Sequence, residues 1–251
     1  MLTSHRKREI LDTLTCDGQV IAKVLSERFA VSEDTIRRDL REMAAEGLLQ
    51  RVHGGALPAS PAVADLSIRE TLSSPAKQRI AYAAAQLVGP GQTIILDGGT
   101  TAIQLVRCLP KALTATVVTH SPNVAVALAE HHNIEVILIG GRLFRHSMVT
   151  VGTAALDALR HIRADIFFMG VTGVHLRAGL STGDLEEAYM KRALSEQAAE
   201  TVVLASTEKI NTASRFKIGD IGLANSIVAE RGTSAAFVAE LERLGIAVVL
   251  A

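Results

Sequence analysis

Three short stretches of this chain place reactive or hydrogen-bonding side chains at close spacing. Asp97-Gly98-Gly99-Thr100-Thr101 follows the apolar run "QTIIL" and precedes a helical pattern. Glycines let backbone approach a ligand, and a helix N-terminus offers free N–H groups and a positive dipole end, so this stretch reads as an anion cradle. A tight turn that needs glycine for geometry alone explains the same residues. The spacing is not G-x-G-x-x-G, so no dinucleotide site is indicated. The second stretch, Arg51-Val-His53-Gly-Gly-Ala, fits a hairpin tip. A metal corner finds no Cys or carboxylate at ligand spacing from His53. A nucleotide P-loop lacks its flanking Gly-Lys-Ser/Thr. The third, Thr35-Ile36-Arg37-Arg38-Asp39-Leu40-Arg41, sets arginines on a helix whose apolar stripe is Ile36, Leu40 and Met43. At about 100° per residue Arg38 points away from Ile36, Arg41 also faces outward, and Thr35 and Arg37 flank the stripe.

Polar or glycine-rich groups also end several later apolar runs. "VVTHS" ends in Thr119, His120 and Ser121, "ILIGG" reaches Gly141 with Arg142 next, and "FFMGVTG" ends at Gly173. In open α/β sheets ligands bind outside the carboxyl ends of the strands, so these ends are expected to converge on one pocket for a small anion. Lys191 and Lys209 are the candidate counter-charges. Glu187, four residues before Lys191, supports the alternative of a plain helix pair.

The elements that must position these groups fall into two textures. Residues 1–57 read as short helices followed by "LLQRVHGGALP", two strands joined by the glycines. The first helix is expected over Ser4–Thr15 and ends at Asp17-Gly18. The second has Ile21, Val24, Leu25 and Phe29 on one face. Ser32 stands where the third wants its N-cap, with Glu33 and Asp34 in the first turn. A second helix after a short turn, with Thr and Arg outward and a hairpin behind it, is a winged helix-turn-helix suited to the major groove. Residues 58–74, rich in Pro, Ser and Ala, read as a linker. Residues 75–251 alternate apolar runs ("TIILD", "ATVVT", "IEVILIG", "DIFFMG", "TVVLAS", "SIVAE", "IAVVLA") with amphipathic segments, which predicts a mostly parallel, Rossmann-like sheet covered on both faces.

Composition restricts the function classes. The chain has 251 residues, 48% hydrophobic and 21% charged, with 26 Lys plus Arg against 26 Asp plus Glu. Bulk charge therefore points to no polyanion, and residues 1–58 carry nine of each sign, so a DNA surface has to come from arrangement. A charged helix face by itself is as well explained by solvation. Cys16 and Cys108 lie far apart and fit neither metal nor disulfide roles. No signal peptide or membrane span is read, which predicts a cytoplasmic protein with no membrane partner.

The run "VSEDTIRRDLREMAAEGLLQRVHGGA" resembles the N-terminal signature of DeoR-family bacterial transcriptional regulators. By that resemblance Ser32, Thr35, Arg37, Arg38, Arg51 and His53 are the expected DNA contacts. The blocks "KQRIAYAAAQLV", "DGGTT", "VTHS", "LIGGRLFRHSMVTVG", "ADIFFMGVTGV", "GLSTGDLEEAYMKRAL" and "VLASTEKI" resemble the sensor domain of the same family, which is related to ribose-5-phosphate isomerase and glucosamine-6-phosphate deaminase folds. The resemblance implies a double-stranded DNA operator, a phosphorylated sugar or related metabolite bound without turnover, no cofactor, and a homodimer or homotetramer. It implies a repressor of a carbohydrate-metabolism operon rather than an enzyme. The expected effector residues are Asp97, Gly98, Gly99, Thr100, Thr101, Thr119, His120, Ser121, Gly141, Arg142, Gly173, Glu187, Lys191 and Lys209. Two positions depart from the family pattern: His120 stands for the usual Asn, and Ser206 for the usual Asp of an Asp-x-Ser-Lys block. The competing readings are a sugar-phosphate isomerase or deaminase fused to a DNA-binding module, with Asp97, Asp184 and Glu187 as candidate bases, and a helix-turn-helix used only for protein contacts.

Overall fold

The computed structural model describes residues 2–63 and 74–251; of the segment read as a linker, 64–73 lie outside the described residues. Helix α1 (Thr3–Asp17) ends on Gly18, whose φ of 69° is the left-handed geometry glycine favours. A two-residue strand β1 (Val20–Ile21) leads into α2 (Ala22–Phe29), and α3 (Glu33–Ala45) follows. Strands β2 (Leu49–Val52) and β3 (Gly55–Pro58) pair antiparallel around His53-Gly54, and β1 pairs with β3, closing a winged helix-turn-helix.

Ile36, Leu40 and Met43 are buried against Ile10, Leu14, Leu25 and Leu49, as the 4-and-3 spacing predicts. The face expected for α2 is corrected. Ile21 and Val24 are exposed, because Ile21 is spent in the β1 ladder and the helix starts only at Ala22. The stripe that packs is Ala22, Leu25 and Phe29. A buried ion pair braces the module: Arg6 Nε lies 2.5 Å and Nη2 3.1 Å from the two Asp39 carboxylate oxygens, tying α1 to α3.

Beyond residue 74 the seven apolar runs become seven parallel strands: β4 (Thr93–Leu96), β5 (Ala115–Thr119), β6 (Ile134–Leu138), β9 (Ala164–Gly170), β12 (Ala198–Ala205), β14 (Ser226–Ala229) and β15 (Ala247–Leu250). Side chains alternate across the sheet. Ile94, Leu96, Val117 and Phe168 pack under α4 (Ser74–Ala85), α5 (Thr100–Cys108) and α6 (Pro122–Ala127). Ile95, Val118, Phe167 and Val203 pack under α7 (Thr153–Leu159), α8 (Leu185–Glu196) and α9 (Ala235–Arg243). Only the inner strands are covered on both faces. Edge strand β6 leaves Val136, Ile137 and Leu138 exposed, and among the described residues no strand pairs beyond it.

The strand order is β15-β14-β12-β9-β4-β5-β6. The chain starts at β4, runs outward through β5 and β6, returns to pair β9 with β4, and then runs to the opposite edge. Two small antiparallel sheets sit above: the hairpin β7 (Arg142–Phe144) with β8 (Val149–Val151), and β10 (Gly173–His175), β11 (Gly179–Thr182) and β13 (Phe216–Gly219). Residues after β3 lie along this part of the chain. Ala59 bridges Ala213, and the buried Ser60 hydroxyl donates to the Thr172 carbonyl. Among the described residues no helix is long and apolar enough to cross a membrane.

Candidate functional site

Reversal of strand order between β4 and β9 opens a crevice at their carboxyl ends, the place where open α/β sheets take ligands. Asp97 is the first residue past β4, and its carboxylate is fully buried. Oδ1 accepts from Gly98 N at 2.7 Å and lies 2.8 Å from His120 Nε2. Oδ2 accepts from Gly170 N at 2.8 Å and from the Lys191 ammonium. Burial by itself would raise this carboxyl. Lys191 and His120 outweigh burial and hold it below the usual carboxylate range. Asp97 therefore fastens β4, β9 and α8 together and stays ionised.

The loop above it forms one wall of a cavity, with Gly98, Gly99, Thr100 and Thr101 at the start of α5. Two geometric facts require glycine here. A Cβ on Gly98 would sit 2.2 Å from Val149 Cγ1, and Gly99 has a φ of 106°, where side chains are strained. Gly170, Val171 and Thr172 supply a second wall. The cavity is also lined by Glu187, Lys191 and Lys209, and by Lys77, Thr182 and Glu208, which the sequence analysis did not name. Lys77, Lys191 and Lys209 are only 4%, 5% and 7% exposed. Lys77 left one overlooked signal: it lies in the first turn of α4, where the helix dipole disfavours a cation. Thr182 Oγ1 donates to Glu187 Oε2 at 3.2 Å, and Asp184 caps α8 by accepting from the Glu186 and Glu187 amides.

The expected convergence of all strand ends on one pocket is corrected. Thr119, His120, Ser121, Gly141, Arg142 and Gly173 do not line this cavity. Thr119 Oγ1 accepts from Ser121 N, and the Ser121 hydroxyl donates to Met148 O, so both are consumed in the turn after β5. Gly141 backs onto Ala155 and Val151, each 3.0 Å from where its Cβ would be. Gly173 lets β10 approach Ser181 and Thr212. Arg142 lies exposed on the β7–β8 hairpin, whose turn brings Ser147 rather than Arg142 to the cavity. His120 acts one layer below the cavity, bridging Asp97 and the Thr150 carbonyl at 2.9 Å. The second family departure is also accommodated: Ser206 Oγ donates to Glu208 Oε1 at 2.6 Å. Burial raises the Glu208 carboxyl, but that bond and the nearby Lys209 and Lys77 hold it low.

On the N-terminal module, Arg38 and Arg41 are exposed on α3, and Arg51 and His53 are exposed on the wing. Ser32 caps α3, its hydroxyl oxygen accepting from Thr35 N at 3.2 Å. Arg37 is engaged within its own helix, at 2.7 Å from Glu33 and 3.1 Å from Asp34. Both carboxylates of the first turn are thus taken up by Arg37. Among the described residues no group of three or more His, Cys, Asp or Glu is placed to hold a metal ion.

Two family models match this chain: a DeoR-like helix-turn-helix domain over residues 6–61 and the DeoR C terminal sensor domain over residues 73–231. The HTH-type transcriptional regulator GlpR of Haloferax volcanii is 33% identical over 99% of this chain and 98% of its own. The glycerol-3-phosphate regulon repressor of Escherichia coli K12 is 30% identical over 90% of each. Among solved structures, ribose 5-phosphate isomerase A of Methanocaldococcus jannaschii overlaps 53% of each chain at 22% identity and a TM-score of 0.40; the fold assignment rests on the strand order above.

Proposed function

This chain belongs to the DeoR family of DNA-binding transcriptional regulators, and from that premise we propose that it represses a carbohydrate-metabolism operon and is released by a phosphorylated sugar or polyol bound in the β4–β9 crevice. The observation that carries the effector reading is the grouping of three buried lysines with a glycine loop and a helix N-terminus at the point where the strand order reverses. A phosphate dianion there gains N–H donors and the dipole of α5, the Thr100 and Thr101 hydroxyls, and compact ammonium charges. Glu187, Thr182 and Glu208 face the same space and would accept from or donate to sugar hydroxyls. A relative named for the glycerol-3-phosphate regulon supports a small phosphorylated polyol or sugar as the effector class.

Operator contact is assigned to Thr35, Arg38 and Arg41 of α3, with Arg51 and His53 of the wing on the backbone. Ser32 and Arg37 serve this face indirectly, by capping and stiffening the helix. An enzymatic reading is disfavoured by Asp97, which is fully buried and holds four donors, and so has no way to take a proton from a substrate carbon. Asp184 is used as a helix cap. The discriminating experiment is a thermal-shift screen against pentose, hexose, hexosamine and polyol phosphates, followed by operator titration with each hit. A stabilising phosphate that also releases the operator is the expected result. Turnover of any of these compounds, or stabilisation by none, would overturn the proposal.

A further inference from the structure

A second concave surface lies between the wing and the sensor part of the chain, a cleft of about 550 Å³. Arg51 and His53 enter it from the wing. Arg177, in the β10–β11 turn, Arg215 and Lys217 enter it from the other side. None of the described residues that line it is Asp or Glu. In a chain whose charges cancel overall, such a one-signed surface is a local construction. His175 also lines it but is a turn residue: its Nδ1 accepts from the Arg177 and Ala178 amides, and burial, with Arg177 beside it, lowers its pKa. Lys217 is shared with Asp220, three residues on, so its contribution is the weakest. Arg215 is exposed and stands over the Phe216 ring at 5.8 Å. Arg177 is exposed and donates to the Gln19 side chain, which holds the sensor part beside β1 and the wing.

We infer that this cleft is a phosphate-backbone track, in which Arg177 and Arg215 of the sensor part extend the wing's grip on duplex DNA. The inference rests on the assignment of the wing to the operator. A small enclosed anion would be met by buried cations, as in the β4–β9 crevice, whereas here the guanidinium groups stand exposed along a cleft continuous with the wing. That geometry suits a polyanion passing alongside. It supplies affinity without reading bases, because phosphate contacts fix position and register only.

The test is the salt dependence of DNA binding by the full chain, for the parent, for Arg177→Ala with Arg215→Ala, and for Arg38→Ala. Fluorescence anisotropy would be read from about 50 to 200 mM salt on an operator chosen by selection with the parent and on an unrelated duplex. Losing two phosphate contacts should lower the slope of log K against log salt by about 1.8, so that the parent loses about 12-fold more affinity than the double variant over that range. The double variant should keep the parent's selected motif and weaken on both duplexes. A slope equal to the parent's, with the fold intact by circular dichroism, would overturn the inference even if affinity fell, since a mere loss of the Arg177–Gln19 tether shifts affinity without releasing fewer ions. Arg38→Ala separates the two readings. If it relaxes base preference while the double variant is silent, only the track fails; if neither variant changes anything, the assignment of the whole DNA face fails with it.

Discussion

Replacing Lys191 with methionine is expected to destabilise the sensor part of the chain rather than simply blunt its response. Lys191 is 5% exposed and its ammonium sits on Asp97, which is fully buried. Methionine keeps much of the stem's volume but leaves the carboxylate without its counter-charge. Breaking a buried ion pair from one side costs about 3–5 kcal/mol. His120, Gly98 and Gly170 still donate to Asp97, so the low end applies, about 3 kcal/mol. For a domain of this size that is a fall of about 6–12 °C in Tm. Asp97→Asn added to Lys191→Met removes the stranded charge, and the double variant should lie closer to the parent than Lys191→Met does. The assay is urea unfolding followed by far-UV circular dichroism, because the chain has no Trp and two Tyr. The midpoint should drop in the single variant and recover in the double at constant m. A single variant that unfolds at the parent's midpoint, or single and double losses that are equal, would refute the account of Asp97 as a carboxylate held by Lys191.

Three further outcomes follow from the same site. His120→Phe removes the ring that bridges Asp97 Oδ1 and the Thr150 carbonyl and should cost about 1–3 kcal/mol in urea unfolding; no change in midpoint would mean the ring only fills space. Gly99→Asp puts a strained side chain and a negative charge in the cradle, so the thermal shift from any stabilising sugar phosphate should vanish while operator affinity holds, and a retained shift would move the phosphate site elsewhere. On acidification the sign is set by Asp97. Its folded pKa lies below its unfolded one, so its stabilisation is fully present above about pH 4 and is lost below. The parent's urea midpoint should therefore fall more steeply from about pH 4 to 2.5 than that of the Asp97→Asn, Lys191→Met double variant, and parallel curves would contradict the assignment.

The seven strands were legible because a strand of a covered parallel sheet must be apolar on both faces and must stop at a turn. The stripe of α3 was legible because three large apolar residues at helical spacing outweigh the one polar residue, Asp39, that shares their face. The order of the strands was not legible, since "TIIL" and "TVVLA" look alike wherever they sit. Without the order, the crevice between β4 and β9 had no more claim than the end of β5, and Thr119, Ser121 and Gly173 were credited with a pocket they do not line. Lys77 reaches that pocket from a distant part of the chain, and its only local trace is a cation in the first turn of α4. The Arg6–Asp39 brace was hidden for the same reason. Asp39 sits among arginines on its own helix, and nothing in the run says that its partner is on α1.

The position of β4 has a consequence for how the protein is made. The winged module closes on contacts within the first 58 residues and can fold as soon as it has left the ribosome. Strand β4, by contrast, can pair at once only with β5, and its other neighbour, β9, begins at Ala164. At about 5–20 residues per second, the 68 residues from Leu96 to Ala164 take roughly 3–14 s to synthesise, and during that time an apolar strand of the future sheet centre presents a bare hydrogen-bonding edge. Nascent chains stalled between β6 and β9 should thus be the species most prone to aggregate and most dependent on chaperones, while chains stalled as soon as residue 58 has cleared the ribosome should already be soluble and able to find DNA.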